Sequence, residues 1–172
     1  MLLEAFKRAK PQLPSETHLI IVGDGPEKER LVAMAQTAQI SQFVEFVGEK
    51  TGEADLAPLF AKSAVSVSPG AIGLAAIHRL AYGVPLLIGD NEPHGPEIEA
   101  FVPSVNGGYF ASDSPDSLAQ KLIDLMSNPQ RLEEMGRRGQ ALVEARYSVH
   151  RMADVFLQAF DYVLRSSAKR TC

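Results

Sequence analysis

The chain has 172 residues, 45% of them apolar and 22% charged, with a net charge of −4. Such a length and composition suit one domain with a real core and exclude a disordered chain, while the acidic balance argues against nonspecific nucleic-acid binding. The only cysteine is the last residue, Cys172, so there is neither a disulfide framework nor Cys-ligand spacing for a metal, and a reducing compartment is the simplest inference.

No apolar run approaches 18 residues and no charged-then-apolar leader opens the chain, so no membrane span or signal peptide is expected. A cytoplasmic protein follows. The basic tail "RSSAKRTC" reads as a frayed end, with contact at the inner face of a membrane as the alternative.

In chain order, Leu2, Leu3, Phe6 and Ala9 recur at helical spacing, and Pro11 and Pro14 end that helix. "HLIIV", residues 18–22, is an apolar strand running into the turn "GDGPE", whose Pro26 suits the first position of the next helix. Leu31, Met34, Ala35 and Ala38 give that helix its apolar face. "FVEFVG", residues 43–48, predicts a strand and "ADLAPLFAKS" a short helix. "AVSV", residues 64–67, predicts a strand, "LAAIHRLAYG" a helix closed by Gly83, and "PLLIG" another strand. A helical turn follows Pro96, and "GGYFA", residues 107–111, is a short strand. From Ser114 onward three helices are predicted, two of them opened by cap-plus-proline signals, Ser114-Pro115 and Asn128-Pro129.

Short apolar strands separated by helices predict a parallel sheet with helices on both faces. Ligands of such sheets bind beyond the carboxyl ends of the strands. The loops there are "GDGPE", "GEKTGE", "SPGAIG" and "GDNEPHGPE". They hold Gly23, Gly25, Gly48, Gly52, Gly70, Gly73, Gly89 and Gly95, eight of the chain's 13 glycines. Tight βα turns also select glycine, so the clustering alone is weak.

The order and spacing of "LIIVGDGPEKERL", "VEFVGE", "GLAAIHRLAYGVPLL", "GPEIEAF", "NGGYF", "DSLAQKLIDLMSNPQRLEEMGRRG" and "EARYSVHRMADVF" make the chain resemble family 4 retaining glycosyltransferases of the GT-B fold. The resemblance is to the carboxyl-terminal, nucleotide-sugar-binding domain and covers roughly residues 1 to 164. It implies a pyrophosphate at the turn Gly70–Gly73–Leu74, where helix N–H groups and dipole favour an anion. It implies a base read by main-chain groups of Val47, Gly48 and Glu49, with Gly23 and Gly25 packed beside the nucleotide. A plain strand-to-helix turn is the alternative at each place, and Asp24 could simply cap the next helix.

Two glutamates of the family's pattern are not here: Gly70 and His78 stand at those positions. A carboxylate accepts from both ribose hydroxyls, whereas a neutral imidazole accepts one bond and donates one. His78 is thus a ribose candidate with a different bonding pattern, or an ordinary half-buried helix residue. Asn91, His94 and Glu97, in "GDNEPHGPEIEAF", are donor-sugar candidates, Glu97 with helix capping as its alternative. No His or Cys spacing supports a metal. The family's Arg and Lys for the pyrophosphate lie on a strand ahead of the first helix, outside residues 1–172. Lys50, Lys62 and Arg79 are the cations near the loops, with a solvated helix face as the alternative for Arg79. Phe156, Phe160 and Val163 of the last helix are expected to lack a partner.

The expectation is therefore a single Rossmann-like α/β domain over residues 1–172, of four or five parallel strands closed by carboxyl-terminal helices. It would bind a nucleotide-diphosphate sugar for retaining transfer to a glycan or glycolipid. Its catalytic residues are unassigned, and it would need no cofactor beyond the donor substrate. Alone it is expected to be inactive, needing an acceptor-binding domain or subunit. The rivals are a nucleotide-binding half-enzyme and a pseudo-enzyme or interaction module. A sugar-nucleotide epimerase relative is disfavoured by the "MGRRG" block.

Overall fold

The structure, a computed structural model, describes the backbone of residues 1–168, so Cys172 and the end of the basic tail lie outside the described residues. Five strands alternate with helices. They are β1 (Leu19–Val22), β2 (Val44–Gly48), β3 (Ser66–Ser68), β4 (Leu86–Gly89) and β5 (Gly107–Phe110). The helices are α1 (Leu2–Ala9), α2 (Lys28–Thr37), α3 (Glu53–Ala61), α4 (Ala75–Ala81), α5 (Pro115–Met126), α6 (Pro129–Tyr147) and α7 (Val149–Ala168). Three 3-10 turns, Lys10–Gln12, Ser41–Phe43 and Pro96–Ala100, complete the order.

Local chemistry sets the boundaries. Pro11 lacks the N–H that would continue α1, and Lys10 Nζ then ties the loop by donating to the carbonyls of Ser15 at 2.7 Å and Thr17 at 2.9 Å. Ser114 accepts from the Ser117 N–H and Asn128 from the Arg131 N–H, so both cap-plus-proline signals open helices as expected. Pro26 does not start α2. The Lys28 N–H closes a turn onto the Gly25 carbonyl, and the helix begins only at Lys28. The third strand lies two residues later than "AVSV" predicts, because Ala64 and Val65 lead into the ladder without joining it.

All strand pairs are parallel, but the ladder is divided. β1 pairs with β2, and β3–β4–β5 form a separate group in that order. Among the described residues, one edge of β1 and one edge of β3 carry no ladder partner. An apolar cavity of about 220 Å³, lined by Ile21 of β1, Pro69 after β3, Leu31, Met34 and the start of α1, lies between them. β1 is apolar throughout yet only half-buried, whereas Leu86, Leu87 and Ile88 of β4 are 0% exposed.

β4 organises two cores. Leu87 points to one face, beneath Leu3, Phe6, Leu118 and Leu122 of α1 and α5. Leu86 and Ile88 point to the other, beneath Ala76 and Leu80 of α4 and Val143 of α6. The period-two alternation of a strand thus feeds two apolar layers, which is why the run is continuously apolar. Buried Asn106 pins the chain ahead of β5: its Oδ1 accepts from the Val102 N–H and its Nδ2 donates to the Ala100 carbonyl, both at 2.8 Å.

The "MGRRG" block is a contact surface. Gly136 of α6 meets the backbone at Gly83, the residue that closes α4 with φ +70°. A methyl group there would overlap the Gly83 carbonyl, with backbone on both sides. Gly136→Ala should therefore destabilise the fold by about 1–3 kcal/mol despite alanine's better helix propensity. Gly70→Ala meets open space and should stay within about 0.5 kcal/mol of the parent in thermal melts.

Candidate functional site

The carboxyl ends of β1, β2, β3 and β4 release the four glycine-bearing loops toward one edge of the fold. Two are bonded together: the Gly23 N–H donates to the Gly48 carbonyl at 2.8 Å. Gly23 and Gly25 have φ of +131° and +158°, a region in which a side chain is strained. They line a cleft of about 350 Å³ with Val22, Pro26, Lys28 and Phe46.

β2 ends in a bulge. Ile21 faces Phe46 and Val22 faces Gly48, so Val47 has no partner in the register. Gly48 completes the break with φ +71°. A bulge releases main-chain groups from a ladder and re-aims the chain, and it falls at the residue expected to read a base. Glu49 follows on the exposed surface.

In the turn after β3, a Cβ added at Gly70 would meet nothing within 4 Å. The Ile72 N–H of that turn donates to His94 Nδ1 at 3.2 Å. The N–H groups of Gly73 and Leu74 have no acceptor among the described residues. α4 begins one residue after the expected Leu74, which is an exposed flanking residue. Glu97 folds back from the Pro96–Ala100 turn, its carboxylate 3.6 Å from where a Cβ on Gly73 would lie.

His94 is turned inward. Accepting at Nδ1 places its proton on Nε2, and Nε2 is sealed from solvent with no partner among the described residues. Its ring braces the turn from the neighbouring loop. Asn91 is exposed, held by its N–H donating to Ser112 Oγ at 3.1 Å.

His78 stands one turn into α4. Its Nε2 lies 3.0 Å from Oε2 of Glu53, the first residue of α3. Phe60 and Tyr82 meet the imidazole edge-on, at centroid distances of 5.2 and 5.5 Å, and stack on each other at 5.0 Å.

The cations differ from expectation. Lys62 pairs with Glu45 at 3.8 Å. Arg79 is half-buried, not on a solvated helix face: Nη1 is sealed and unpartnered among the described residues, and burial lowers the guanidinium pKa. Asp24 caps no helix. Its Oδ1 accepts from the Gly25 N–H at 2.9 Å and its Oδ2 pairs with Lys28 Nζ at 2.7 Å. Lys28, legible as an i,i+4 partner of Asp24, was missed as a cation of the cleft. Glu53 had no sequence signal, being 25 residues from His78.

The family profile "Glycosyl transferases group 1" matches residues 1–142. The chain belongs to the group 1 glycosyltransferase family. It is 30% identical over 157 residues to a GDP-mannose-dependent phosphatidylinositol monomannoside mannosyltransferase of Corynebacterium glutamicum, spanning 84% of this chain and 40% of that protein. Sucrose-phosphate synthase of Thermosynechococcus elongatus superposes with a TM-score of 0.75 at 22% identity, over 96% of this chain and 43% of that one. The carboxyl-terminal domain of a group 1 glycosyltransferase of Francisella tularensis gives 0.73 at 19% identity, over 86% of this chain and 77% of that one. The fold is therefore that of the carboxyl-terminal domain of a GT-B glycosyltransferase. The chain spans about two fifths of the curated relative's length.

The Lys28 bond and the Gly25 N–H hold the Asp24 carboxyl below its ordinary pKa of 3.8. The contact is therefore complete above that value and lost as pH falls through the lowered one. In an NMR titration, Lys28→Ala should move the Asp24 midpoint back up toward 3.8.

Proposed function

We propose that this group 1 glycosyltransferase domain binds a nucleotide-diphosphate sugar at the carboxyl edge of its strands, for transfer with retention to a glycan or glycolipid acceptor. One observation carries the reading. The freed Val47 bulge, the N–H groups of Gly73 and Leu74 that have no acceptor among the described residues, and the open space at Gly70 lie on loops that the Glu53–His78 bond brings together. Main-chain donors and acceptors suit a base edge, and free N–H groups suit a pyrophosphate. A similar fold, Anabaena HepE, has been solved with UDP and with UDP-glucose, and the mannosyltransferase relative is named for GDP-mannose.

In this reading the base meets Val47, Gly48 and Glu49, with Gly23 and Gly25 beside the nucleotide. The diphosphate meets Gly70, Gly73 and Leu74, and the ribose lies beside His78. Asn91 and Glu97 face the sugar, while His94 supports the turn. The chain's own chemistry is to bind and orient the donor and to stabilise the leaving diphosphate with main-chain donors. The remaining charge compensation would come from an Arg and a Lys on a further strand, and the unpaired edges of β1 and β3 with the apolar cavity between them suit such a strand. The acceptor would be bound by another domain docked on α7, where Phe156 and Phe160 are 60% and 66% exposed. Among the described residues no helix is long and apolar enough to cross a membrane.

Titration calorimetry with UDP, GDP and their sugars tests the proposal. Binding of a nucleoside diphosphate without sugar transfer is the expected result for the chain alone. No binding at millimolar concentration would make this an interaction module that keeps only the fold. His78→Ala should weaken binding by about 1 kcal/mol, roughly fivefold.

A further inference from the structure

Base and diphosphate are joined by the ribose. A nucleotide whose base lies at the loop after β2 and whose phosphates lie at the turn after β3 must therefore set its ribose between α3 and α4. Among the described residues, one hydrogen-bonded side-chain pair bridges those helices there, Glu53 and His78. We propose that Glu53 is the carboxylate that reads the ribose hydroxyl pair, with His78 as the residue that positions it. The inference rests on the nucleotide reading above and adds a specificity residue to it.

The chemistry favours Glu53 over His78 as the reader. A vicinal diol presents two hydroxyl donors, and a carboxylate is acceptor-only with two oxygens. Glu53 Oε2 takes the bond from His78, and Oε1 has no hydrogen-bond partner among the described residues. The side chain is 64% exposed, so the free oxygen is open to a ligand. The imidazole cannot swing freely, being walled by the stacked rings of Phe60 and Tyr82. An exposed pair of this kind contributes little to stability by itself. The aromatic wall holds His78, and His78 in turn fixes the carboxylate. α4 itself carries no carboxylate, and Glu53 supplies one from the facing helix.

The test compares ribose with deoxyribose. The full chain is titrated with UDP and GDP, with their 2′-deoxy counterparts, and with inorganic pyrophosphate. The ribose form should bind about tenfold more tightly than the deoxy form, as expected for one hydrogen bond to a charged acceptor. Glu53→Ala should bring that ratio close to one and leave pyrophosphate affinity unchanged. Glu53→Gln, the same shape without the charge, should give an intermediate ratio. Equal binding of ribose and deoxyribose forms by the parent overturns the inference and leaves nucleotide binding standing. So does a tenfold ratio that survives in Glu53→Ala, which would make the pair a clamp between helices. If the folded parent binds no nucleoside diphosphate, the nucleotide reading falls and this inference with it.

Discussion

The fold depends on a strand that must be covered on both faces. Leu86, Leu87 and Ile88 alternate between two apolar layers, and none of them touches solvent. α1 and α5 close one side; α4 and α6 close the other. The second closure is sterically demanding, because α6 meets α4 where Gly136 lies against Gly83 and Gly139 against Leu80. The same closure sets the heading of α4, and hence where His78 stands relative to the turn that precedes it.

Around that rigid centre the candidate site uses backbone more than side chains. The bulge at Val47, the turn at Gly70–Leu74 and the left-handed glycines Gly23 and Gly25 all present main-chain groups. Side chains hold these loops in place: His94 bonds Ile72, Asp24 bonds Lys28, and Glu53 bonds His78. Such a site would take ligands by shape and dipole, because its loops carry more carboxylates than cations. A diphosphate held this way depends on further cations for tight binding.

Much of this was legible in the sequence because the signals are local. Ser114 and Asn128 are bonded to N–H groups three residues on, so the helix starts could be read directly. The strands showed as short apolar runs. What could not be read was pairing through space. Nothing in "VEFVG" shows that Val47 is skipped by its neighbour, since a bulge is a relation between two strands. His94 is a loop residue whose inward turn depends on an amide 22 positions away. The division between β1 and β3 is likewise absent from periodicity, which counts strands without saying which ones touch. Arg79 was misjudged because α4 packs more deeply on that side than a short amphipathic helix suggests.

The divided ladder has a consequence for how the molecule breathes. No ladder hydrogen bond ties β1 and β2 to the other three strands, so the halves cohere through side-chain packing, chiefly beneath α1. Packing without a shared ladder couples segments less tightly, and the amides of β1 and β2 can exchange with solvent while β4 stays closed. With no further strand in the gap, the cooperative unit would be smaller than the domain. Both loops expected to meet the base and flank the nucleotide belong to the half that shares no ladder with β4.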